Sequence, residues 1–280
     1  MTQQAGTAFD QAIALGDLVG SEFVGHEREF RWTVPAGWEQ GRGAWGGLVV
    51  GACLQAVRAA QGPDPRPLRT IAAHLMAPVP AGPVTIQARA ARTGSAMSTW
   101  STTIRDEAGS TLAEAMVIAG LARAEDLAHL PGAGTAAAPD CPPWQESVVV
   151  PIAPPLGPAF GAHLEFRPIE GIPMSGAPAR VLGWIRLPDQ GPWSDVQALS
   201  LADAFWPSMY PTLPGPRPMA TVSFSAHLLA DPGTLPAGEP LLFQASMAAA
   251  HDGFTTETRR LWSVDGRLIV ENLQSIVVIR

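Results

Sequence analysis

The second half of this chain repeats the first. The segment from Arg69, RTIAAHLMAPVPAGPVTIQARAARTGSAMSTWSTTIRDEAGSTLAEAMVIAG, has a weak counterpart from Ala220, ATVSFSAHLLADPGTLPAGEPLLFQASMAAAHDGFTTETRRLWSVDGRLIVENLQSIVVI. Pro-Ala-Gly turns at Pro80 and Pro236 stand 156 residues apart, and a Glu inside an apolar run recurs 157 apart, at Glu114 and Glu271. Between them, both copies place a Gly before a polar strand (Gly94, Gly253) and close an Asp-containing turn on Gly (Gly109, Gly266). A repeat at about half of 280 residues divides the chain into two like units, each of ordinary domain size.

Periodicity defines the unit. Met97 to Ile104 is rich in Thr, Ser and Trp, and Phe254 to Val264 in Thr, Trp and Val, each between turn signals as strands are. Leu268 to Ile279 reads as a further strand with two apolar faces. The turns at Asp106–Gly109 and Val264–Gly266 are short enough to join antiparallel neighbours. Upstream of each strand run lies a helical segment. Trp45 to Gln61 has only Gln55 and Arg58 as polar interior positions, and a helix apolar nearly all round is buried. The second, Asp195 to roughly Tyr210, starts from a Ser194 cap and weakens at Pro207. Each unit is therefore an antiparallel sheet around a buried helix, an α+β arrangement. The expected division is residues 1–124 for the first repeat, 125–160 for a Pro/Gly/Ala-rich linker crossing the surface, and 161–280 for the second.

Composition then excludes function classes. All eighteen basic residues are arginine, so Schiff-base, P-loop and Ser-Lys chemistries are absent. A net charge of −7 without a basic run argues against nucleic acid. Cys53 and Cys141 cannot build a disulfide framework or a structural zinc site, which points to a reduced compartment. The N-terminus has no signal-peptide pattern, and the apolar run Ala44–Cys53 is too short to span a bilayer. A soluble, cytoplasmic protein with no membrane partner is expected.

The motifs narrow the field further. Gly41-Arg-Gly43-Ala-Trp-Gly46 has dinucleotide spacing, but no parallel strand precedes it and Asp64 sits in a proline-rich turn. What survives is a helix start whose unpaired N–H groups, beside Gly46 and Gly47, suit an oxyanion or carbonyl oxygen. There is no GxSxG nucleophile elbow, no HExxH and no His/Cys cluster, so no metal site is expected. His74, His227 and His251 are scattered and read as structural. Asp203 falls between Val196 and Leu199 on the helical wheel, where a carboxylate needs a partner or a solvated stripe shared with Gln197 and Ser200. Thr221 shares a strand face with Ser223 and Ser225, and Gln274 lies on the Ile276 face of the last strand, an odd place for an unpartnered amide.

Over most of its length the chain resembles the acyl-CoA thioesterase II (TesB-like) family, whose members are double hotdogs. The resemblance rests on WGGLVVGACLQA at the first helix and on SLADAFWP, ATVSF and NLQSIVV in the second half. It implies that Asp203, Thr221 and Gln274 hold the attacking water. It departs after Thr221, where Ser223-Phe224 stands in place of an Asp-His pair, and at HLMAPVPAG, which lacks an arginine often found there. The implied activity is hydrolysis of an acyl-CoA thioester, as in fatty acid metabolism, with Asp203 as base and no cofactor, metal or covalent intermediate. Gly46 and Gly47, or their counterpart in the second half, would offer oxyanion N–H groups, and Phe205, Trp206 and Met209 would line an acyl tunnel. Unpaired sheet edges favour a homodimer or higher homo-oligomer. The alternative is a non-catalytic acyl-CoA-binding protein on the same fold. A hotdog hydratase lacks its Asp-x-Asn-x-x-His set here.

Overall fold

The computed structural model describes residues 6–19, 27–123 and 136–279. In chain order the elements are α1 (Ala8–Ala12), β1 (Glu27–Val34), β2 (Glu39–Gln40), β3 (Gly43–Ala44), α2 (Gly46–Gln61), β4 (Leu68–Leu75), β5 (Gly82–Thr93), β6 (Met97–Arg105) and β7 (Thr111–Gly120). The second half adds β8 (Glu165–Glu170), β9 (Arg180–Arg186), α3 (Asp195–Ser200), β10 (Met219–Leu228), β11 (Leu241–His251), β12 (Phe254–Trp262) and β13 (Leu268–Val278). The strands and turns fall where the repeat places them, with Gly109 and Gly266 at φ 83° and 82°, a conformation that glycine adopts without a Cβ clash.

Eleven strands form one sheet in the order β1-β5-β6-β7-β4-β10-β13-β12-β11-β9-β8, every pairing antiparallel. The repeat reappears as β1-β5-β6-β7-β4 and its mirror β9-β11-β12-β13-β10, joined edge to edge where β4 pairs with β10. Each repeat thus covers one edge of the other, and β1 and β8 remain as the outer edges.

α2 is sequestered as its composition dictates, with every residue from Gly47 to Leu54 buried. α3 packs beside it and runs the opposite way, since Arg58 near the end of α2 pairs with Asp195 at the start of α3 while Gly47 approaches Ser200. Ser194 caps α3 through a capping box with Gln197. The second helix is shorter than expected: α-helix stops at Ser200, a 3₁₀ turn covers Leu201–Asp203, and the chain then leaves towards Pro207. Counted from the helix starts, Asp203 corresponds to Leu54 of α2, and in space it neighbours Gly46.

The segment from Ala136 to Phe160 lies against the second repeat and over the first. Trp262 and Trp184 donate their indole N–H groups to Ala136 O and Pro142 O, and Trp144 lies under the guanidinium groups of Arg167 and Arg186. Phe160 is buried and stacks on Trp45 at 4.8 Å, and His163 stacks on Trp38 at 4.2 Å. Residues 125–135 of the expected linker lie outside the described residues.

Candidate active site

Three side chains from three elements meet at the end of α3. Gln274 Nε2 donates to Asp203 Oδ1 at 3.0 Å, and Thr221 Oγ1 donates to Gln274 Oε1 at 2.9 Å. The chain of donation runs Thr221 to Gln274 to Asp203, so the hydroxyl fixes the amide and the amide fixes the carboxylate. Asp203 is 5% exposed and Gln274 1%. The amide on the Ile276 face has the partner its position demands.

Local structure explains how Thr221 gets there. Simple alternation puts it on the outer face with Ser223 and Ser225, but β10 carries a β-bulge between Thr221 and Ser223. Beyond the bulge Phe224 points into the core, 1% exposed, and Thr221 turns inward as well. An extra residue re-aims a side chain without ending the ladder. The polar stripe Gln197, Ser200, Asp203 is also not solvated. It is buried against the first repeat: Gln197 donates to Asp10 of α1, while Ser200 Oγ faces Gly51 and Asp203 faces Gly46 of α2.

The first-repeat glycines meet the acid directly. A Cβ on Gly46 would sit 2.6 Å from Asp203 Oδ2. A Cβ on Gly47 would lie 2.6 Å from Ser200 O and 2.2 Å from the Trp45 ring. The indole N–H of Trp45, the cap residue of α2, donates to Asp203 O at 2.8 Å and pins the acid's backbone to the helix start. The Leu48 and Val49 N–H groups bond to Trp45 O, while the N–H groups of Gly46 and Gly47 lie on the Asp203 side, that of Gly47 acting on the carboxylate. A carboxylate there meets the positive end of the α2 dipole.

Three further residues complete the cluster, all missed in the sequence. Arg259 Nη1 reaches Asp203 Oδ1 at 3.3 Å and Ala202 O at 3.1 Å, while its Nε donates to Glu257 Oε1 at 2.5 Å. Glu257 Oε2 accepts from Ser208 N at 2.7 Å and Ser208 Oγ at 2.6 Å. Glu257, Arg259 and Ser208 are each at most 1% exposed. The signal was present: in FTTETRRLW, Thr255, Glu257, Arg259 and Leu261 alternate onto one face, and a Leu among them marks that face as inward. Burial pushes the Asp203 carboxyl above the usual range. Arg259, the Gln274 amide and the Gly47 N–H pull it back, and the Glu257 charge adds to the rise.

Phe205 packs in the core, edge-on to Phe166 at 5.2 Å and stacked on Phe243 at 4.8 Å. Trp206 lies beside it and donates to Gly171 O, and Met209 is half-buried. These are core contacts one turn from the acid. The GxGxxG segment forms the β2–β3 antiparallel ribbon, not a parallel strand. His74 and His227 face outward.

The fold is a double hotdog. Residues 34–120 match the family model of the acyl-CoA thioesterase N-terminal domain, and residues 134–278 match that of its C-terminal domain. The chain belongs to the acyl-CoA thioesterase family and is a thioester hydrolase with an acyl-CoA substrate. Solved structures similar to it include a hotdog-fold protein of Alicyclobacillus acidocaldarius (26% identity, 99% of each chain, TM-score 0.85). A tesB protein of Mycobacterium avium subs paratuberculosis has 17% identity over 97% of this chain and 98% of its own, at TM-score 0.73. An acyl-CoA thioesterase II of Mycobacterium marinum has 16% identity over 97% and 98%, at TM-score 0.69. A search of curated proteins finds no match. Among the described residues no helix is long and apolar enough to cross a membrane.

Proposed function

We propose that the chain hydrolyses an acyl-CoA thioester to free acid and CoA by direct attack of a water held at Asp203. One observation carries the reading: Gln274 and Arg259 both engage Oδ1, so Oδ2 is the oxygen turned to the α2 N-terminus. Asp203 Oδ2 takes a proton from water as its oxygen bonds to the thioester carbon. The carbonyl oxygen becomes an oxyanion before the Gly46 N–H at the start of α2, while the Gly47 N–H serves the Asp203 carboxylate beside it. Collapse breaks the C–S bond, and the Asp203 proton passes to the departing thiolate. Thr221 and Gln274 hold the acid in its working orientation. Phe205, Trp206 and Met209 would bound the acyl group.

The same proposal takes residues 1–124 and 161–280 as the repeats, in a cytoplasmic homodimer or higher homo-oligomer. Two free cysteines support the compartment, and the stretches of β1 and β8 beyond their bridges to Leu18 and Val150 support association. Thiol release from a panel of acyl-CoAs, with calorimetric binding, tests the activity in wild type and Asp203→Asn. Turnover lost in the variant with binding kept is the expected result. Binding without turnover in the wild type would make the protein an acyl-CoA binder, and equal turnover in both would remove Asp203 from the reaction.

A further inference from the structure

Arg259 and Glu257 have no part in the water-holding set read from the sequence, yet they are the charged groups that face it. Burying ions is costly, and a well-packed apolar pair often serves a fold as well or better. The first repeat shows this. β6 and β7 pair Trp100 with Val117, and β12 and β13 pair Glu257 with Gln274 in the same register, 157 residues on. Arg259 thereby stands where the first repeat has Thr102. The same strands form the same sheet with Trp100 and Thr102, so the fold does not require the ion cluster.

We propose that Arg259 is a positioning residue for the hydrolytic step: it ties down Asp203 Oδ1 so that Oδ2 alone faces the α2 N-terminus, and Glu257 limits its grip. This rests on the reading of Asp203 as the base. Two carboxylates share one guanidinium, and they are not equally served. Glu257 takes the short contact to Nε and both donors of Ser208, all within 2.7 Å; Asp203 takes the longer contacts, Nη1 at 3.3 Å and the Gln274 amide at 3.0 Å, besides the Gly47 N–H. Three buried charges sum to one surplus negative charge. Asp203 is the less satisfied carboxylate and so the one to accept a proton from water. Without Glu257, Arg259 would belong to Asp203 alone and weaken it as a base. Without Arg259, the carboxyl would be free to turn and would already be protonated at higher pH.

The surroundings leave few other contributors. β12 supplies Arg259 and Glu257; β13 supplies Gln274; β10 supplies Thr221; α2 offers the Gly47 N–H, and β4 offers the apolar Leu75. Among the described residues, the charges acting on Asp203 are therefore those of one strand, and they act with opposite sign.

The test is a ¹³C NMR titration of protein labelled in its aspartate carboxyls, with Asp203 assigned by its loss in Asp203→Asn, alongside kcat against pH. Arg259→Gln should move the Asp203 midpoint up and Glu257→Gln should move it down, and the acid limb of kcat should follow each. The doubly neutral variant, Glu257→Gln with Arg259→Gln, should fall between the two. Arg259→Lys keeps the charge but cannot span Glu257, Asp203 and Ala202 O at once, so the midpoint should stay while kcat falls about tenfold. If Arg259→Gln does not fold, Glu257→Gln and Arg259→Lys decide the matter. Midpoints that do not move, or move together, overturn the inference, as does an Arg259→Lys variant with wild-type kcat. Loss of turnover in Asp203→Asn with unmoved midpoints would sink this role alone. Full turnover in Asp203→Asn would sink the hydrolytic reading, while the titration would still report on the charge cluster.

Discussion

The two repeats are built on the same strand register but filled with different chemistry. Where β12 and β13 pair Glu257 with Gln274, β6 and β7 pair Trp100 with Val117. Where β10 pairs Thr221 with Ile276 just before a bulge, β4 pairs Leu68 with Ala119 just before its own. The bulge belongs to the fold; the hydroxyl it re-aims belongs to one copy. The helices differ in the complementary sense. α2 runs sixteen residues and ends in Gly62, while α3 gives way after six to the 3₁₀ turn that carries Asp203. The first repeat supplies a helix start and the second the groups aimed at it. The candidate site is thus drawn from both repeats, and neither half holds all of its residues.

The sharpest way to break this asymmetry is Asp203→Asn. It should lower kcat about a thousandfold and, because burial holds the acid above its ordinary value, should not weaken the fold. The sign follows from proton binding. Between the unfolded and the raised folded value the native state holds more protons, so the wild type loses stability as pH rises through that window. The neutral amide avoids this loss, and thermal unfolding at pH 8 should show a midpoint no lower than that of the wild type. In the wild type, kcat should decline with falling pH from above the ordinary carboxylate range, the carboxylate being the active form.

Next come the glycines at the helix start. Gly46→Ala places a methyl against Asp203 Oδ2 and should cut kcat about a hundredfold by moving the acid, with little change in melting. Gly47→Ala meets the Ser200 carbonyl and the Trp45 ring instead, so it should cost about 1–3 kcal/mol of stability in a denaturant titration. Gln274→Val, which copies the first repeat, removes two hydrogen bonds of ~1 kcal/mol each and should lower kcat about thirtyfold. Val117→Ala at the mirror position should leave turnover alone and lose about 1–3 kcal/mol to a cavity. Thr221→Val acts only through Gln274 and should cost kcat about fivefold. A Val117→Ala variant that lost turnover while staying folded would contradict the division of labour.

Much of the architecture was legible because it depends on period and turn chemistry. Pro80 and Pro236, Gly109 and Gly266, and the all-round apolar α2 fix strands, hairpins and a buried helix by local rules. Gln274 was legible too, since an amide on the Ile276 face needs a partner. What escaped depended on tertiary context. The inward turn of Thr221 requires a bulge, which arises from how β10 pairs with β13 and leaves no trace in alternation. The early end of α3 breaks a helical pattern that continues to Tyr210 in the sequence. The edge pairing of β4 with β10, which turns two sheets into one, links residues about 150 apart and has no local signal. Glu257 and Arg259 were readable in principle. Their charges suggest a solvated face, and only Leu261, in step with them, argues otherwise.

The account is tested most directly by the structure of the protein bound to an acyl-CoA analogue whose sulfur is replaced by methylene. The analogue carbonyl oxygen should lie at the Gly46–Gly47 end of α2, with its carbon about 3–3.5 Å from a water on Asp203 Oδ2. A carbonyl seated instead beside Trp100 and Val117 in the first repeat, with Asp203 untouched, would contradict it.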